Sequence, residues 1–195
     1  IKREAAAKII AGLIVFIFIA LVFSQAGKKF VLDELDFPVV AKATSESWRP
    51  VYYRGEEAPQ HLGLYHPPLY IYALAVHIKI FGFSENTVRS FGLLCTILTA
   101  LLTVGVASRL MGSSRLWFFT PVFCSLYLLN PYTIANTTLP DIDQTILPVL
   151  FTLFILFLFG ERSSTRSLII TFAVLLWAKL TTPLVLVPFA FLYWS

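Results

Sequence analysis

One contrast constrains this chain more than any other. Residues 31–70 carry mixed charge, while the sequence on either side runs in long, nearly uncharged apolar stretches. Only 13% of the residues are charged and 57% are hydrophobic, where a soluble domain carries roughly a quarter charged. A spanning helix needs about 20 predominantly apolar residues. Runs at 9–27, 90–108, 116–130, 146–160 and 168–194 are read as five spans, the last interrupted by Lys179 and Pro183. The expected fold class is therefore an all-α polytopic, multi-pass integral membrane protein. The net charge of +4 is no sign of nucleic acid, because basic residues in such chains mark cytoplasmic loops.

The segment 68–83 is apolar and helix-like but short, and it carries His77 and Lys79. If it does not cross, three basic clusters share one side: Lys2, Arg3 and Lys8; Arg109 and Arg115; Arg162 and Arg166. That satisfies the positive-inside rule throughout. Residues 68–83 are thus expected to lie in the outer interface. They belong to a large outer loop, 28–89, that carries short interfacial helices, and 131–144 forms a second outer loop. The chain opens on Ile1 and stops at Ser195 directly after an apolar run, so both ends are read as cut and 1–195 as one incomplete N-terminal transmembrane catalytic module. Cys95 and Cys124 fall inside apolar runs and are expected to be buried, inert thiols.

This topology sets Asp33, Glu34 and Asp36 on the same outer side as Asp141 and Asp143. A carboxylate there can take a proton from an attacking hydroxyl; the plain alternative is a solvated acidic cluster countered by Lys28 and Lys29. Asp141-x-Asp143 could hold a divalent metal through oxygen ligands, or Asp143 could cap the next helix. Lys179 falls within or beside the membrane, where a charge costs a few kcal/mol and usually has a partner or a role. Lys179 and Arg89 are the leading anion contacts. His66, followed by two prolines, either binds phosphate when protonated or stiffens the start of a helix. No Walker loop, GxGxxG, GxSxG, HExxH or CxxC motif is present.

Taken in order, these residues resemble a known family. Asp33-Glu34 follows the first span, and Gly55 and His66-Pro67-Pro68-Leu69-Tyr70 come next. Then come Phe81-Gly82-Phe83-Ser84-Glu85 and Arg89, Leu139-Pro140-Asp141-Ile142-Asp143, and Ala178-Lys179-Leu180-Thr181-Thr182-Pro183. The pattern resembles the GT-C class of polyprenyl-phosphate-sugar-dependent glycosyltransferases, in the branch of aminoarabinose transferases and protein O-mannosyltransferases. The resemblance implies a GT-C-type helical bundle with its active site on the outer face. It implies a polyprenyl-phosphate-linked sugar as donor, and a lipid or protein glycan as acceptor. It implies Asp33 as general base, with Glu34 and Asp143 completing the catalytic set and Asp36 and Asp141 as supporting acids. Lys179, Arg89 and His66 would meet the lipid phosphate. Many members carry Lys where His66 stands. No cofactor is assigned; a divalent metal at Asp141 and Asp143 stays open, and a pyrophosphate donor would favour it. Two other classes compete: a transporter or channel subunit using the outer carboxylates and Lys179 as an ion relay, and a non-catalytic membrane scaffold.

Overall fold

The computed structural model describes residues 2–25, 36–50, 67–160 and 165–188. Among them all regular structure is helical: α1 (Lys2–Gln25), α2 (Asp36–Ser47), α3 (Leu69–Phe81), α4 (Glu85–Met111), α5 (Leu116–Leu128), α6 (Pro131–Thr137), α7 (Ile146–Leu158) and α8 (Thr165–Ala178). Short 3-10 turns cover Ser113–Arg115 and Thr182–Val185.

Two helices, α1 and α4, are long and apolar enough to cross a membrane. α1 buries Ala7, Ile14, Phe18 and Val22, a spacing that draws one stripe along a helix. Its opposite face is also apolar, with Ile9, Leu13 and Phe16 all more than half exposed. A helix at a water boundary would place polar side chains there. Both helices begin earlier than the apolar runs suggest, taking in Lys2, Arg3 and Glu4 in one case and Glu85 and Arg89 in the other. Charge ends an apolar run, but it does not end a helix.

The shorter apolar helices α5, α7 and α8 have 13, 13 and 14 residues. α8 stops at Ala178, and the chain turns through Lys179 into the 3-10 turn at Pro183. A proline has no N–H to donate into a continuing helical ladder, and α8 has already ended at Ala178, so 168–194 is not a single helix. The stretch 131–144, expected as loop, starts with α6. Asn130 opens it by accepting from the Tyr132 N–H at 2.9 Å, and Pro131 occupies the first turn, both ordinary start signals.

Helix ends sort into two groups. At one end Arg3 sits over the Trp117 ring, 5.6 Å from its centroid, and Arg109 donates to the Leu156 carbonyl. At the other end Val22 and Phe23 of α1 lie beside Asn86 and Arg89 of α4. α1 and α4 are therefore antiparallel, α4 and α7 are parallel, and the segment between α1 and α4 leaves and returns at the same end. α3 lies across that end: Tyr70 and His77, two turns apart, both pack on Phe91, with centroids at 6.0 and 5.4 Å. It finishes at Gly82, whose φ of +81° and ψ of 167° suit glycine alone.

α6 is held hard against α4. A Cβ placed on Gly92 would overlap the Thr137 carbonyl oxygen, and the Thr96 and Thr137 hydroxyls stand 3.0 Å apart. Gly92→Ala should therefore destabilise by about 1–3 kcal/mol, the usual cost of overpacking. Gly12→Ala, which meets open space, should be neutral or stabilise by up to about 1 kcal/mol. Thermal unfolding of both variants in one detergent checks the pair; equal shifts would mean α6 is not seated on Gly92.

Candidate functional site

The turn between α6 and α7 has no regular structure of its own, so its placement depends on anchors. Arg89, buried in the second turn of α4, donates from Nη1 to the Thr138 carbonyl at 3.2 Å. Ser84 caps α4 by accepting from the Thr87 N–H at 3.1 Å, which fixes the turn from which Arg89 projects. Further along, the Thr145 hydroxyl donates to the Asp141 carbonyl, and the Asp141 N–H donates to Leu139 O at 3.0 Å. Ile142 is buried between the two aspartates, so its side chain pins the turn while its neighbours face outward.

Asp143 is thereby directed at Lys179. The Lys179 ammonium donates to both carboxylate oxygens, at 2.6 and 2.7 Å, across 36 residues of chain. Lys179 sits just past α8, where its backbone N–H still donates to Leu175 O at 2.9 Å. The side chain of Lys179 is 19% exposed and that of Asp143 44%. The pair therefore closes the end of the bundle yet stays reachable. Asp143 caps no helix: α7 begins at Ile146 after Thr145, which makes no side-chain cap bond.

Tyr70 links this turn to the polar stretch. Its buried ring meets Phe37 edge-on at 5.3 Å, directly after Asp36 at the start of α2. Burial holds its phenol well above the ordinary range, with the Asp141 carboxylate adding to the shift and Cys95 contributing less. The hydroxyl stays protonated and is able to donate beside Asp141 and Thr145. Asp36 and Asp141 are both partly exposed at this end. α2 leans on α3 through Lys79, which donates to Ser45 O at 3.0 Å and sits over the Trp48 ring.

Of the residues singled out from sequence, Asp143 and Lys179 are in contact, and Asp36, Asp141 and Arg89 share their end of the bundle. Arg89 points inward and positions the turn. Asp33, Glu34 and His66 lie outside the described residues. Among the described residues no cluster of three His, Cys, Asp or Glu side chains forms a ready metal site, and Asp143 is engaged by a cation. Cys95 and Cys124 are buried and unbridged. Thr145, Gly92 and Thr137 carry the site without having stood out, and Tyr70 stood out only as the end of the His66-Pro67-Pro68-Leu69-Tyr70 motif. The Gly92/Thr96 spacing, small residues one turn apart where helices approach closely, was the available signal. No family model, curated protein or solved structure matches the chain.

His77, half-buried on α3, sits 2.9 Å from the Ser90 hydroxyl. Since Ser90 donates to Thr87 O at 2.7 Å, the imidazole Nε2 supplies the proton in that contact. Burial lowers its pKa below the ordinary 6.5, against a smaller opposing contribution from the Thr87 backbone. A depressed value means that the unfolded state binds more protons just below pH 6.5, so stability falls as pH drops through that window. Unfolding followed from neutral to mildly acidic pH should show this loss, and His77→Gln should flatten it. A second check concerns the ion pair. Asp143→Asn, Lys179→Gln and the double variant should give a coupling of about 0.2–1 kcal/mol, because the pair is partly exposed. Strict additivity would mean the contact does not persist.

Proposed function

We propose that this chain is a membrane glycosyltransferase module of the GT-C type, spanning the bilayer several times. It would move a sugar from a polyprenyl-phosphate donor to a hydroxyl acceptor at the outer face. The observation that carries the reading is the Asp143–Lys179 pair. It sets an ammonium beside a carboxylate at the end of the bundle opposite Arg3, Arg109 and Arg115, where Asp36 and Asp141 also lie. That end would be the outer one, since the basic end suits the cytoplasmic side.

In the proposed step the acceptor oxygen attacks the anomeric carbon as Asp33 takes its proton. The carbon–oxygen bond to phosphate breaks, and the polyprenyl phosphate leaves with the electron pair, so the anomeric configuration inverts. Phosphate is a good leaving group, and no second carboxylic acid is needed to protonate it, unlike the poor leaving groups of glycosidases. Charge grows on the departing phosphate, which a fixed cation stabilises. Lys179 is suited to that part by sharing its charge between Asp143 and the phosphate. Glu34 would orient groups near the base, with Asp36 and Asp141 in support. His66 would approach the phosphate, and Arg89 would act through the turn it anchors. A divalent metal at Asp141 and Asp143 would have to compete with Lys179.

An ion relay would need titratable groups along the bundle. Among the described residues Arg89 is the one charged side chain that is buried, and it lies at the site end, which favours the transferase reading.

The test is transfer of labelled sugar from a polyprenyl-phosphate donor by the full-length protein in membranes, with donor binding measured in parallel. Asp33→Asn should lose about 10²–10⁴-fold in rate with donor binding retained. Lys179→Gln should lower kcat by about 10²–10³. Unchanged transfer by Asp33→Asn would remove it as base in favour of Glu34 or Asp36. A wild-type protein that transfers no sugar from any lipid-phosphate donor would defeat the reading.

A further inference from the structure

At the end opposite Asp143 and Lys179 the helices do not close. A lateral cleft of about 460 Å³ opens between α1, α4 and α5, within the size of sites that hold small ligands. Its walls are Ala7, Ala11, Val104, Leu116 and Trp117, and Glu4 and Lys8 also line it. Two alanines one turn apart keep the α1 wall low, so the space between the helices stays unfilled. A second cleft of about 400 Å³ lies on the other side of Trp117 and is bordered by Arg115 and Phe118. Arg3 already rests over the same indole. Lys8 thus lines the first cleft, Arg115 the second and Arg3 the indole they share, against the single acid Glu4.

We propose that this is a binding site for an anionic phospholipid of the cytoplasmic leaflet. One acyl chain fills the Ala7/Ala11 cleft, where Lys8 meets the phosphate, and Arg3 and Arg115 add positive charge around Trp117. The apolar walls suit a hydrocarbon chain, and the excess of positive charge selects a headgroup with net negative charge. Basic pockets between helices on the cytoplasmic side recognise such lipids. A zwitterionic lipid offers the same chain but no net charge. The inference rests on the membrane setting of the proposed function and on none of its chemistry.

Native mass spectrometry of the full-length protein, offered phosphatidylglycerol or phosphatidylcholine with identical chains, tests it. The wild type should retain phosphatidylglycerol several-fold better. Lys8→Gln with Arg115→Gln, both exposed positions, should lose that preference. Ala11→Phe should reduce retention of both lipids. Equal retention of the two lipids by the wild type, or a preference that survives removal of both charges, would overturn the site. So would a dimer mass that replaces lipid adducts, since a second copy would then occupy the cleft. Tryptophan fluorescence reads the same site without filling it. Brominated-chain phosphatidylglycerol should quench the wild type more than Trp117→Phe, and equal quenching would overturn the assignment. A chain that transfers no sugar but passes these tests leaves the lipid site standing.

Discussion

The close seating of α6 on α4 is the contact on which the site depends. Gly92 lets the Thr137 carbonyl approach a surface that any side chain would have closed. Arg89 then takes the next carbonyl, that of Thr138, and the chain leaves α4 in a defined direction. The following turn is short and tied to itself through Thr145 and Asp141. Asp143 therefore reaches Lys179 with little freedom left to lose. An ion pair formed by two mobile side chains contributes little. Here one partner is delivered by a braced turn and the other by the end of α8.

The opposite ends of the bundle do different work. The site end is crossed by α3, which spreads over Phe91 and meets Trp177 through Tyr72, so that aromatic packing forms a floor under the polar groups. Tyr70 is the joint in that floor, touching Phe37 on one side and lying close to Asp141 on the other. The basic end has no such crossing helix among the described residues, and its clefts face sideways around Trp117. A bundle crossed by α3 at one end and cleft at the other would suit the proposed reaction at the first and the proposed lipid contact at the second.

Much of the helical plan was legible in the chain itself. Apolar runs mark α1, α4, α5, α7 and α8 because a helix satisfies its own backbone polar groups wherever water is excluded. A break was legible where the chemistry is local: Pro183 ends the run after Lys179. The Asn130-Pro131 start of α6 is equally local, yet 131–144 reads as loop from its polar composition. Helix lengths were less legible. Charged residues at the start of α1 and at both ends of α4 continue the helix while interrupting the hydropathy. The resemblance of Asp33, Glu34, His66, Asp143 and Lys179 to a transferase pattern supplied the roles now proposed for them.

By itself, then, the sequence determined that the chain is helical, where its apolar segments lie, and which polar residues stand apart from them. Those properties follow from neighbours within a few residues. The partner of Asp143 did not follow, because Lys179 lies 36 positions away and Asp143 alone fits a helix cap or a metal ligand. Nor did the inward turn of Arg89, the placing of Tyr70 beside Asp141, or the clefts around Trp117. Each depends on which helices run side by side and how closely they approach, and tertiary packing decided that through small residues such as Gly92, Ala7 and Ala11.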